Sequence, residues 1–291
     1  MNTYLADPQF KTQLEQLNQA LTELRFAEGL RRNSDAARAE TNLHFAFDLG
    51  FVNGIYIELN RLREISLLPT ESRDLTPSEK ENSGTPKLTV EEKRVRDYWQ
   101  MQLWVSQHWA QLNPPKNGRG GLLNIGTRPQ ATQPRQLPLP QTLATMQKLA
   151  CVSLPHAQMA IPQSQHLELF QNLFETNGIP GILKAGLLVA QSQLAPIFTQ
   201  ENQTVTLTFV RNYLVESGVE PTGCLQFMAG IRANQVAYTQ ALQNLTQAGA
   251  NPELLGNWLR LWVKILADSV APSQQLIRHL QAGKLPECTN L

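Results

Sequence analysis

The sequence predicts an all-α protein, and three observations carry that reading. Apolar residues recur at alternating spacings of four and three, helix-capping residues stand at the ends of those stripes, and the segment GILKAGLLVAQSQL is apolar nearly all round. The fold expected is a multi-helix bundle around one buried helix at about Gly181–Leu194.

The elements follow in order. Asp7-Pro8 is an N-cap and first-turn pair, and Phe10, Leu14, Leu17, Leu21 and Leu24 form one stripe behind it. Asn33, Ser34 and Asp35 can cap a second helix carrying Ala36, Ala39, Leu43, Ala46 and Phe47 before Gly50. Phe51 to Leu62 fits helix or strand. Pro69, Pro77, Gly84 and Pro86 then break the pattern, so residues 66–88 read as an exposed loop. Thr89 with Glu92 makes a capping box for a helix with Val95, Tyr98, Trp99, Leu103 and Val105. A second irregular stretch, Lys116 to about Leu139, is rich in Gly and Pro. Helical signals resume near Gln141, Gln163 and Gly181, and later helices are expected over Thr204–Glu216, Gly223–Ala248, Asn251–Ala267 and Pro272–Ala282. Gly218 and Gly283 are placed as C-terminal caps, and Asn251-Pro252 opens the penultimate helix. Residues 1–65 are read as an N-terminal helical region packed with 89–291 as one domain.

Composition excludes several function classes. The 291 residues carry 25 Lys and Arg against 24 Asp and Glu, a net charge of +1, and only 17% are charged. Such a chain lacks the overall field that draws a protein to nucleic acid or an anionic membrane, so neither is expected as a partner. Cys151, Cys224 and Cys288 form no CxxC pair, which signals neither a zinc ribbon nor a disulfide framework and fits a reduced, cytoplasmic setting. No basic leader followed by an apolar run opens the sequence, and no stretch approaches the ~18 apolar residues of a membrane span.

Four constellations bear on chemistry. His44 and Asp48 are four apart and share a helix face, as a His–carboxylate pair or as buried hydrogen-bonded groups. His166 and Glu168 are two apart and face different directions on a helix, and HExxH is absent, so no metal site is expected. Gly118–Gly121 (GRGG) lacks the pattern of a phosphate loop and reads as flexible connection. Trp99, Trp104 and Trp109 recur every five residues and cannot all share one face.

From about Pro180 onward the order of signals resembles a known family. A buried helix leads through QLAPIFTQENQT into an amphipathic helix, TVTLTFVRNYLVESGVEP, and the later AYTQALQNLTQAGANPELLGNWLRLWVKILADSV continues the likeness. The pattern resembles the Fic/Doc (Fido-fold) family, particularly its divergent actinobacterial members. There the buried helix ends in His-Pro-Phe-x-(Asp/Glu)-Gly-Asn-(Gly/Lys)-Arg, and the next helix begins at that loop. Upstream, ARAETNLHFAFDLG resembles the helix of the inhibitory (Ser/Thr)-x-x-x-Glu-(Gly/Asn) motif, and LLNIGTRPQ resembles a further loop element. Two registers are open. In one, Ala195 takes the histidine place and Pro196 the proline place. In the preferred one, Pro196 takes the histidine place, Phe198 the phenylalanine and Asn202 the asparagine.

Neither register supplies the family's histidine, glycine or arginine. The resemblance implies a histidine acting as general base on a target hydroxyl, and neither alanine nor proline can titrate. It also implies backbone amides open to phosphates at the next helix, where this chain brings Gln200, Glu201 and Gln203, with Gln203 or Thr204 in place of the arginine. Leu49-Gly50 stands where the inhibitory Glu-Gly would be. The expectation is a Fic-like binding or regulatory module without AMP transfer, needing no cofactor and contacting an unidentified protein partner. The alternative is a Fic-related enzyme in which Glu201, His44 and Asp48 act on ATP, another nucleotide or a phospho-ligand.

Overall fold

The computed structural model describes residues 7–68, 87–108, 137–154, 161–248 and 251–284. Every regular element among them is helical: α1 (Pro8–Arg25), α2 (Leu30–Val52), α3 (Leu59–Ser66), α4 (Val90–Gln107), α5 (Leu139–Ala150), α6 (Ser164–Glu175), α7 (Gly181–Leu194), α8 (Asn202–Glu216), α9 (Phe227–Ala233), α10 (Gln235–Ala248), α11 (Pro252–Asp268) and α12 (Val270–Gln281). The all-α class is therefore the one the sequence predicts. No helix among the described residues is long and apolar enough to cross a membrane. The GRGG stretch, LLNIGTRPQ, Trp109, Cys288 and most of the 66–88 loop lie outside the described residues.

The capping signals act as their chemistry requires. Asp7 accepts the Gln9 amide, Asn251 accepts the Glu253 amide, and Thr89 and Glu92 close a reciprocal box. Gly218 and Gly283 take the left-handed conformation, with φ of 76° and 68°, just past α8 and α12.

Three boundaries differ from expectation, two of them for tertiary reasons. Gly50 does not end α2, which continues to Val52; a Cβ at Gly50 would meet Val95 Cγ2 at 2.9 Å, so the glycine serves the close approach of α4. The Asn33 cap is a kink inside α2 rather than its start, with φ −119° and ψ 21°. The single helix expected over Gly223–Ala248 is two, α9 and α10, broken at Asn234. There Nδ2 donates to Gly230 O at 2.9 Å and to Asp268 Oδ2 at 2.8 Å, which holds the corner against α11. The ambiguous Phe51–Leu62 stretch becomes the end of α2, a turn through Gly54 and the start of α3.

The core forms where α7 and α11 meet. Trp258 and Trp262 are fully buried, and their indole N–H groups donate to Gly186 O at 2.8 Å and Ile182 O at 3.0 Å on α7. Gly186 lets that approach happen, because a Cβ there would stand 2.6 Å from Trp262 Cδ1. On the other side α2 runs along α4 and carries α9 and α12. Trp99 and Trp104 are partly buried against the core. Cys151 and Cys224 are unpaired and buried, and burial pushes their thiols up to about 11 and about 12.

Between the two halves lies Arg211 of α8, which is 3% exposed. Its Nη1 donates to Asn42 Oδ1 at 2.7 Å and Gln102 Oε1 at 2.9 Å, and Nη2 to Gly223 O at 3.0 Å. The guanidinium lies 5.1 Å from the Phe45 ring centroid, and burial lowers its pKa to about 10.

Candidate functional site

The loop between α7 and α8 is built around Asn202. Its Oδ1 accepts the amides of Ile197 and Phe198 at 2.9 and 3.1 Å, and its Nδ2 donates to Ser192 O in the last turn of α7 at 3.0 Å. That ring of bonds folds the loop back on the helix it leaves and presses Ile197 and Phe198 into the core. The start of α6 straps the other side: Gln163 N donates to Ile197 O at 2.9 Å, and His166 Nδ1 donates to Pro196 O at 2.7 Å. Ala195 caps α7 through its amide to Gln191 O.

Glu201 stands at the head of α8 and is the one non-glycine residue with positive φ among those described, at 55°. A β-carbon costs free energy in that region, so neighbouring contacts must hold it there. Its carboxylate, 7% exposed, lies 2.5 Å from Arg94 Nη2, 3.1 and 3.2 Å from the Tyr98 hydroxyl, and 2.6 Å from Thr204 Oγ1. Asn53, just past α2, completes the cluster by donating to Thr204 Oγ1 at 2.9 Å. Burial works against the Arg94 charge, but the facing Tyr98 and Glu201 oxygens outweigh it and hold the guanidinium pKa above its usual value. Burial and the adjacent Glu201 charge raise the Tyr98 phenol. An arginine, a phenol and a threonine hydroxyl thus converge at the head of α8 on one anion, and that anion is the protein's own carboxylate.

Of the residues singled out in the sequence, Ala195, Pro196, Phe198 and Glu201 lie in this loop, and Asn202 and Thr204 in the first turn of α8 that closes it. His44 and Asp48 sit elsewhere on α2. His44 Nε2 is 3.5 Å from Glu40 Oε1, and Glu40 also pairs with Arg63. Burial raises the Glu40 pKa, but the His44 and Arg63 contacts prevail and leave it below the usual value. Asp48 is 2% exposed, with Arg232 Nη1 at 2.9 Å in a contact not aligned as a hydrogen bond. Burial pushes Asp48 up to about 6 against Arg232 and His44. Neither group bonds to the Glu201 cluster, and His44 lies nine positions before Asn53, a rise of ~13 Å along α2. His166 is committed to the loop carbonyl. Among the described residues no group of three or more His, Cys, Asp or Glu side chains could hold a metal.

Sequence reasoning missed Asn53, Arg94 and Tyr98. A signal for the last two existed: they are four apart, so they share a face of α4, and an acidic residue in a buried loop requires a cation nearby. It also missed Asp97, whose Oδ2 accepts the Ser153 amide at 2.7 Å and whose carboxyl burial pushes up to about 6. A carboxyl raised from 3.8 to about 6 binds its proton more tightly folded than unfolded. Its contribution is therefore lost as pH rises from about 4 through 6. Asp97→Asn keeps an acceptor for Ser153 without the charge. Compared with the parent, the variant is expected to gain on the order of 2 kcal/mol in going from pH 4 to pH 7, read by urea unfolding. Parallel pH curves for the two proteins would refute this.

A separate concavity of about 400 Å³ lies at the far end of α8, walled by Trp104, Phe174, Phe209 and Tyr213. The chain matches no protein-family model and no curated protein.

Proposed function

We propose that this chain is a catalytically silent Fic-like protein: a cytoplasmic binding or regulatory module that contacts a protein partner, transfers no AMP and needs no cofactor. One observation carries the reading. Glu201 adopts left-handed backbone where the preferred register has the family's glycine, and its carboxylate neutralises Arg94 at the head of α8. In this reading Gly181–Leu194 is the buried helix at the centre, and Phe198 and Asn202 keep their anchoring places in the loop. A phosphate would have to displace a bonded carboxylate and meet its charge, and neither Ala195 nor Pro196 can take a proton from a hydroxyl.

The alternative, in which His44 and Asp48 join Glu201 in altered nucleotide chemistry, has less support, since each is engaged with its own partner on another stretch of α2. The experiment is incubation of the purified protein with ATP labelled in its α-phosphate, alone and with lysate, alongside calorimetry with ATP. No label transfer and no binding heat are expected. Transfer that disappears in Glu201→Ala or Asn202→Ala would sink the reading.

A further inference from the structure

The neutral overall charge conceals an uneven surface. Arg38, Arg61, Arg260 and Lys264 each pair with a carboxylate. Around the corner joining α1 to α2, by contrast, Arg25, Arg31, Arg32, Arg278 and Lys284 are exposed, and among the described residues none pairs with an acid. The corner is one surface because the last turn of α12 lies against it. A Cβ at Gly29 would stand 2.6 Å from Ile277 Cγ2 and 3.4 Å from Gln281 Oε1. Gln281 joins Glu28, Arg31, Arg32 and Asn33 in lining a concavity of about 690 Å³, and Arg278, three positions before Gln281, shares its helix face.

Of these five cations, two satisfy a local rule and two run against one. Arg25 and Arg278 lie in the last turns of α1 and α12, where a positive charge complements the helix dipole. Arg31 and Arg32 lie in the first turn of α2, where the dipole disfavours them; that turn has no acid, and its cap residue, Gly29, has no side chain to bond. A sequence that sets aside a local rule without compensation inside the fold points to something outside it. Beside the arginines the Phe26 ring is 73% exposed, with the Arg25 guanidinium 5.6 Å from its centroid.

We infer that this corner is a docking surface for an acidic segment of a protein partner, with Phe26 as its apolar contact. Glu28 decides the class. It lies exposed in the lining among the arginines, where it can accept an N–H from a bound segment and repels a continuous run of phosphates. A peptide offers a backbone N–H beside every carboxylate, whereas phosphate groups at neutral pH are acceptors only and carry their donors on other parts of the molecule. A single exposed ring is too little for base stacking along a strand or for insertion into a bilayer. The inference deepens the proposed binding role by naming a partner class, and its test is separate: AMP transfer would overturn that role and leave this surface standing.

The test is fluorescence anisotropy with the full chain and a labelled twelve-residue peptide of alternating Asp and Glu around one central Leu, in low salt. An uncharged peptide, a uridine oligonucleotide of equal length and vesicles with one-fifth phosphatidylserine serve as competitors. The acidic peptide is expected to bind, to weaken as salt is raised, and to weaken at least tenfold in Arg31→Glu/Arg32→Glu. Lys148→Glu, exposed on α5, is expected to leave it unchanged. The double variant is also expected to melt close to the parent, because the dipole favours the new acids while Glu28 and Asp35 repel them by a similar amount, and a matching melt keeps lost binding from being ascribed to unfolding. No binding of the acidic peptide, equal loss in Lys148→Glu, or displacement by the oligonucleotide or vesicles at lower concentration than by unlabelled peptide would each overturn the inference.

Discussion

Truncating Arg211 to alanine is expected to destabilise the protein by about 4 kcal/mol in urea unfolding. The residue is buried, and its removal leaves Asn42 Oδ1, Gln102 Oε1 and the Gly223 carbonyl without their donor. Each stranded acceptor costs ~1–3 kcal/mol, partly recovered where Gln102 and Asn42 can turn toward each other or admit water. The cavity adds to that cost. Arg211→Met fills the space but offers no donor, so it is expected to fall between the alanine variant and the parent. A loss below about 1 kcal/mol in the alanine variant would show that the network contributes little. The consequence reaches the site, because Arg211 ties α8, which carries Glu201 at its other end, to Asn42 on α2 and Gln102 on α4.

Glu201→Ala is expected to cost about 3 kcal/mol, since it leaves the Arg94 guanidinium, 26% exposed, facing the Tyr98 hydroxyl without its counter-charge. Glu201→Gly removes the same carboxylate but suits the left-handed backbone, and it is expected to cost about 1 kcal/mol less than alanine. The difference between the two variants isolates backbone strain from ion pairing. Equal losses would mean that φ 55° carries no strain here. Because Arg94 is partly solvated, the loss should shrink as added salt screens the unpaired charge.

The two variants also separate what was legible in the sequence from what was not. Asp7, Thr89, Glu92, Asn251, Gly218 and Gly283 act on neighbours within a few positions, so their caps could be read before any fold was known. The same holds for the apolar stripe of α1, for α7, which is apolar nearly all round, and for the break in periodicity at Ala195–Thr204. Gly50 and Asn234 were misplaced because their roles depend on partners far along the chain, Val95 and Asp268 respectively. The Glu201 cluster shows the same limit. The sequence shows an acid in the loop, but its partners, Arg94 and Tyr98, lie more than 100 positions away.

By itself, then, the sequence determined the helical class, the start and end of most helices, and the absence of a histidine from the α7–α8 loop. Those properties rest on hydrogen bonds and periodicities that span one or two turns, or on which side chains are present at all. Only the tertiary structure decided that Glu201 satisfies Arg94, that His44 and Asp48 take other partners, and that Arg25, Arg31, Arg32, Arg278 and Lys284 of a nearly neutral chain meet at one corner. Charge interactions act through space, and which groups meet is settled only when α2, α4, α8 and α12 pack.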